Sequence, residues 1–298
     1  MRFITTLSDI KNLLLFQEAD GILVGEKKFS CRMPAYFSRS ELIQISHECH
    51  NIQLKCYLNI NRFINEADLS QLRETLEWVA ATDIDGLYFN DLAVKTIADQ
   101  IDLDCELIYA PEATLTNTED IRLFNSLGID RGLLAKEITL EEVLTIANAL
   151  PGKVELFGFG HLPMSLSKRP LVSNYLKHIH GDVSVSKNRT LTLKEEKRSY
   201  FYPVLEESEA TSVFTDLIMN CFMEIPTLKR SGLNAIHLDG LFLRDELIAE
   251  VLGHYRSIET IEQAKQHFQT FISAHPELLL DSGYFYKKTN LTKEGANV

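Results

Sequence analysis

Nine polar residues, Arg32, Asn59, Asp91, Glu112, Asn117, Lys136, Glu137, His161 and Asp239, each lie just beyond the end of a short apolar run. Gathered at one surface, they would suit anion binding and proton transfer. Arg32 and Lys136 can hold a carboxylate or phosphate, the arginine through two parallel bonds. Asn59 and Asn117 add neutral amides for substrate binding. Asp91, Glu137 and Asp239 can serve as acid–base groups where burial or mutual repulsion raises their pKa. His161 can shuttle a proton.

Each has a plainer alternative. Asp91 and Asp239 are good N-caps for the helices expected after them. Lys136 and Glu137 can pair across neighbouring strands. Glu155 sits at the start of its apolar run, where a salt bridge inside the core suits it better than catalysis. Arg32, in a loop after a strand, has few structural duties.

Several chemistries lack a signature. There is no HExxH, no Walker loop and no Gly-rich dinucleotide turn. Ser167 and Ser173 have no adjacent base in a triad or elbow pattern. The five cysteines, Cys31, Cys49, Cys56, Cys105 and Cys221, form no CxxC pair, so no disulfide framework and no metal site is expected. Of His47, Cys49 and His50, only the two histidines share a helix face. His178, His180 and Asp182 alternate as on a strand. The net charge of −12 argues against indiscriminate nucleic-acid binding. It leaves room for a local basic patch contacting RNA, for which residues 187–198, KNRTLTLKEEKR, are the candidate, with a solvated surface as the plainer alternative. No apolar run is long enough to span a membrane, and the N-terminus reads as a first strand and helix rather than a signal peptide. A cytoplasmic location is expected.

The elements that must position these groups follow a regular beat. Strands are predicted at Phe3–Thr5, Gly21–Val24, Leu54–Ile60, Gly86–Phe89, Glu106–Tyr109, Arg131–Ala135, Val154–Phe159 and, late, Ala235–Leu238. Helices lie between them, with Ser8, Ser38, Asp68, Asn117 or Thr118, and Thr139 placed to open them. Repetition at about 25 residues per unit implies right-handed βαβ units on a parallel sheet. Seven units plus a late eighth predict a TIM-type (β/α)8 barrel over residues 1–256. The insertion between the seventh and eighth strands, about 161–232, is expected to hold hairpins and an apolar helix near Ser212–Cys221. A helix over Ile258–Ala274 and an extended tail make up residues 257–298 and are expected to dock on the barrel, with the last residues frayed.

Glu155, Phe157, Gly160, Leu162 and Ser173 stand in the register of a motif that resembles collagenase-like proteins of peptidase family U32. Pro163 and Pro170 replace the two motif cysteines, and Lys168 replaces the motif glycine. Gly25, Phe29 to Arg32, Asn59, Asp91, Leu134 to Glu137, His237 to Gly240, Tyr255-Arg256 and the SGYFYKKT tail also resemble that family, in consistent order. The resemblance implies a barrel. Members carry a peptidase name, yet several act in hydroxylation, of the wobble uridine of tRNA or in ubiquinone synthesis, and those with four cysteines hold an iron–sulfur cluster. Proline has no donor atom to replace a thiolate, so no iron–sulfur cluster is expected on this chain. The resemblance is nearest to a short, cysteine-poor branch. It implies a subunit working with a longer U32 paralogue in tRNA wobble-uridine 5-hydroxylation, with a small carboxylate as co-substrate. A collagenase-like peptidase and a non-catalytic binding module are the alternatives.

Overall fold

The computed structural model of the chain describes residues 1–185, 188–196, 199–207 and 210–287. The barrel strands begin with β1 (Arg2–Thr6), β2 (Gly21–Gly25), β3 (Lys55–Ile60), β4 (Gly86–Phe89), β5 (Glu106–Tyr109), β6 (Arg131–Leu133) and β7 (Val154–Ser167). The insertion contributes β8 (Thr192–Lys194), β9 (Phe201–Glu207) and β10 (Ala210–Asn220). The eighth barrel strand, β11 (Ala235–Leu238), then pairs in parallel with β1 on one side and β7 on the other. That double pairing closes the sheet, so the eight strands form a TIM-type barrel.

Alternation along each strand sorts its side chains into two layers. Ile4, Leu23, Tyr57, Tyr88, Ile108 and Ala235 pack inside the ring. Their strand neighbours, such as Phe3, Val24, Leu58 and Phe89, face outward and meet the helices. These are α1 (Arg39–Asn51), α2 (Leu69–Ala80), α3 (Leu92–Gln100), α4 (Thr118–Ser126) and α5 (Leu140–Ala149). Their starts are fixed locally. Ser38 with Glu41, and Thr139 with Glu142, form reciprocal capping boxes on α1 and α5. The first connection is instead a 3-10 helix, Ile10–Phe16, capped by Asp9. Ser8 does not cap it, because its hydroxyl donates to Asp245 at 2.7 Å.

The insertion departs from the sequence reading in two places. β7 does not end at Gly160 but runs on to Ser167, out of the ring, pairing antiparallel with β10. Gly160 takes φ +133°, and a Cβ there would lie 2.8 Å from the Asp239 carbonyl oxygen. The glycine therefore bends the strand as it leaves the barrel rather than stopping it. The helix predicted near Ser212–Cys221 is strand β10, because its backbone is claimed by β7 on one edge and β9 on the other. His178 ends the short helix α6 (Leu171–His178) and is not on a strand. After α7 (Ile225–Arg230) and β11 come α8 (Asp245–Ser257) and α9 (Ile261–Ala274). The short strand β12 (Leu280–Asp281) then pairs with β10, and Phe285 is buried beyond it. Residues 288–298, expected to fray, lie outside the described residues. Among the described residues no helix is long and apolar enough to cross a membrane.

Candidate functional site at the barrel mouth

The barrel interior carries charge on two levels. The lower is centred on Glu155, which is fully buried. Its carboxylate accepts from Arg131 Nε at 2.6 Å, from the Tyr88 hydroxyl at 2.7 Å and meets His237 Nε2 at 2.7 Å. Arg131 continues to Glu106 at 2.7 Å, and Glu106 takes Lys55 at 2.6 Å and the Tyr57 hydroxyl at 2.9 Å. Burial alone would raise the Glu155 pKa, but the bond from His237 and the attraction of His237 and Arg131 outweigh it and hold the carboxyl at about 2. Both Glu155 oxygens are engaged, and the network fills the floor of the ring.

The upper level lies at the C-terminal strand ends, around a small cavity of about 70 Å³. Arg32, 7% exposed, donates from Nη2 to Glu112 Oε1 at 2.8 Å. Lys136 Nζ reaches the other Glu112 oxygen at 2.5 Å and sits 5.1 Å from the centre of the Phe157 ring. Burial would raise the Glu112 carboxyl, but Lys136 and Arg32 override it and hold the group at about 2. One donor is left over: Arg32 Nη1 is buried and has no hydrogen-bond partner among the described residues. An orphaned buried guanidinium nitrogen is costly, and a bound anion would relieve it. Arg32 and Glu112 also hold left-handed backbone conformations, φ 56° and 72°, which non-glycine residues adopt at a cost. Glu207, from the insertion, fixes the Arg32 loop by accepting from its backbone N–H at 2.9 Å and from the Tyr36 hydroxyl.

Asp239 completes the cavity wall. Burial pushes its carboxyl pKa up. One of its oxygens accepts from Leu241 N–H at 2.9 Å, forming a local turn; it does not cap α8, which starts at Asp245. Beside a bound anion, a carboxyl inclined to keep its proton can act as a donor. Asn59 also lines the cavity, with its amide nitrogen 3.1 Å from Met33 Sδ.

Arg32, Asn59, Lys136 and Asp239 are thus brought together from the loop after β2, from β3, from the turn after β6 and from the end of β11. Four other expected site residues are not. Asp91 caps α3 by accepting from Ala93 N–H at 2.9 Å, and Asn117 caps α4 by accepting from Asp120 N–H at 3.0 Å. Glu137 is exposed on the turn beyond Lys136. None of the three lines the cavity. His161 stands where β7 leaves the ring: its Nδ1 meets the Thr215 carbonyl at 2.7 Å, its ring lies edge-on to Phe242, and burial lowers its pKa. It too lies outside the cavity lining. Sequence reading gave no mouth role to His237 or Thr6. His237 links the two levels, touching Glu155 and lining the cavity. Thr6 accepts from Gly240 N–H at 2.7 Å, seating the loop that carries Asp239.

These features define a closed α/β barrel whose mouth holds a small cavity, lined by a buried arginine with a spare donor and flanked by an inserted antiparallel sheet. The chain belongs to peptidase family U32, whose family model matches residues 8–294. It is similar to tRNA hydroxylation protein P2 of Bacillus subtilis (strain 168), at 24% identity over 298 residues and 96% of each chain. It is 26% identical over 160 residues to tRNA hydroxylation protein P of Escherichia coli (strain K12), covering 53% of this chain and 35% of that protein. A solved U32 peptidase, Mk0906, superimposes with a TM-score of 0.50 at 15% identity, covering 80% of this chain and 92% of the other, and supports the barrel.

The iron–sulfur cluster found in cysteine-rich family members does not fit the residues present. Pro163 lines the mouth and Pro170 precedes α6, and neither offers a donor atom. Cys49 and Cys56 are buried side by side in the core. Burial pushes the Cys31 thiol up to about 11 and that of Cys105 up to about 12. Among the described residues no group of three or more His, Cys, Asp or Glu is arranged to hold a metal ion.

Proposed function

We propose that this chain is a cluster-free U32 subunit that acts in the cytoplasm with a longer paralogue in 5-hydroxylation of the wobble uridine of tRNA. Its mouth would hold a small carboxylate co-substrate. The observation that carries the reading is the unpaired Arg32 Nη1 in the mouth of a chain that matches a tRNA hydroxylation protein from end to end. Arg32 would bind the carboxylate, with Lys136 and Glu112 fixing the guanidinium plane. Asp239, whose carboxyl pKa burial pushes up, would donate a hydrogen bond to the same anion whenever it carries its proton. The cavity, at about 70 Å³, has room for a few water-sized groups, which suits a small acid.

The collagenase-like reading draws on the family name and on a 23% likeness, over 168 residues, to a collagenase of Porphyromonas gingivalis. Among the described residues lining the mouth no serine, threonine or cysteine is paired with a histidine or carboxylate, and the nearby Cys31 thiol is driven away from ionisation. Nucleoside mass spectrometry of tRNA from a deletion strain tests the proposal. Loss of 5-hydroxyuridine-type nucleosides, restored by the wild-type gene but not by Arg32→Ala, is expected. Unchanged nucleosides in a strain that also lacks other U32 paralogues would overturn it.

A further inference from the structure

A groove of about 970 Å³ runs between the insertion and the loops after β2 and β3. Lys27, Arg62 and Phe63 stand on the barrel side, Lys168 and Arg189 on the insertion side. Both glutamates on its wall are already engaged. Glu206 accepts from Val172 N–H at 2.7 Å and from Ser173, and Glu207 from the Arg32 loop. Of the cations, Arg62 donates to the Lys28 carbonyl at 2.8 Å and Lys168 to the Asn65 side chain at 3.2 Å. Arg189 Nη2 donates to the Met33 carbonyl at 2.7 Å, but its Nη1 is buried without a partner among the described residues. Phe63 is 40% exposed, and the Lys168 ammonium lies 4.9 Å from its ring centre. A row of cations, one with a buried unpartnered guanidinium nitrogen, beside an exposed aromatic face is the chemistry of a single-stranded nucleic-acid channel: phosphates meet the cations and a base stacks on the ring. In a chain of net charge −12, this concentration of positive charge is local.

We infer that this groove seats a single-stranded segment of RNA, with phosphates on Lys27, Lys168 and Arg189 and a base stacked on Phe63. The inference rests on the reading above that the protein acts on RNA. Arg32 lines both the groove and the mouth, so a strand in the groove passes over the opening. The mouth is too small for a nucleotide, so the two spaces take different ligands. An acidic protein segment would also satisfy the cations, but it would leave Phe63 without a role. Of the basic stretch at 187–198, Arg189 enters the groove, while Lys194 lies over Phe201; Lys187, Lys197 and Arg198 fall outside the described residues.

Fluorescence anisotropy of the full chain with a short labelled oligouridylate, over a salt series, tests the assignment. Wild-type affinity should fall with salt by about 0.7 log units per decade for each phosphate held. Lys168→Ala and Arg189→Ala should each flatten that slope by about one contact. Phe63→Ala should weaken binding about tenfold and leave the slope unchanged. No binding at low salt, variants that bind like wild type, or displacement of the RNA by polyglutamate as effective as by unlabelled RNA would overturn it. The two readings can fail separately. Groove-dependent binding alongside unchanged tRNA nucleosides in the deletion strain would sink only the hydroxylation role. Lost nucleosides, fully restored by Phe63→Ala and Arg189→Ala forms that bind RNA normally, would sink only the groove.

Discussion

The floor and the mouth of this barrel are made from the same kinds of residue, yet their bonding differs. On the floor, Glu155 is surrounded by Arg131, Tyr88 and His237, and its oxygens are all used. At the mouth, Glu112 receives Arg32 and Lys136, but Arg32 keeps a buried donor with nothing to bind. The floor also has ordinary backbone, whereas Arg32 and Glu112 are both left-handed. A buried charge with a complete set of partners holds a structure together; one left short, on a strained loop, is set for a ligand. The carboxyl pKa alone would not separate the two levels, since neighbouring cations hold both glutamates at about 2.

The largest expected effect is on stability. Glu155→Ala strands Arg131 inside the ring, and breaking such a pair costs about 3–5 kcal/mol. Arg32→Ala leaves Glu112 with Lys136 and should cost no more than about 2 kcal/mol. Urea denaturation of both variants checks the difference, and equal losses would erase the distinction between floor and mouth.

Ligand affinity should show the opposite ranking. Arg32→Ala is expected to weaken binding of a small carboxylate by about ten- to a hundredfold, the worth of a charged hydrogen bond, with partial recovery in Arg32→Lys. Calorimetric competition would show it.

Acid should sharpen the picture further. The Glu155 carboxyl is lowered on folding from its ordinary 4.5 to about 2, so its contribution is present above 4.5 and is lost as pH falls toward 2. Urea midpoints followed down that range should drop, and Glu155→Gln should make the drop shallower. It should not flatten it, because Glu112 titrates in the same window.

The smallest effect belongs to Asp239. Its carboxyl pKa is raised by burial, so its proton is lost at a higher pH than that of an ordinary aspartate. Carboxylate binding should weaken a few-fold as it ionises, and Asp239→Asn should remove that dependence. A pH series of binding constants for the two proteins is the check.

The floor, the ring and the helix starts were largely legible in the sequence. Short apolar runs at even spacing imply the barrel, and Ser38 and Thr139 carry capping patterns that need only local contacts. Asp91 and Asn117 were legible as caps too, yet their position after strands drew them into the expected site. What could not be read depended on long-range pairing or backbone hand. β10 looks apolar enough for a helix, and only β7 and β9 beside it make it a strand. The Glu207 contact to Arg32 spans 175 residues of chain. Glu112 gains its role from a left-handed turn that no residue type announces.

The most direct test is calorimetric titration of succinate, as a small carboxylate probe, into the wild-type protein and Arg32→Ala. Saturable binding to the wild type that is weakened about ten- to a hundredfold in a folded Arg32→Ala protein is the expected result. Equal binding to both, or none to the wild type, would mean that the spare guanidinium nitrogen is not where an anion docks.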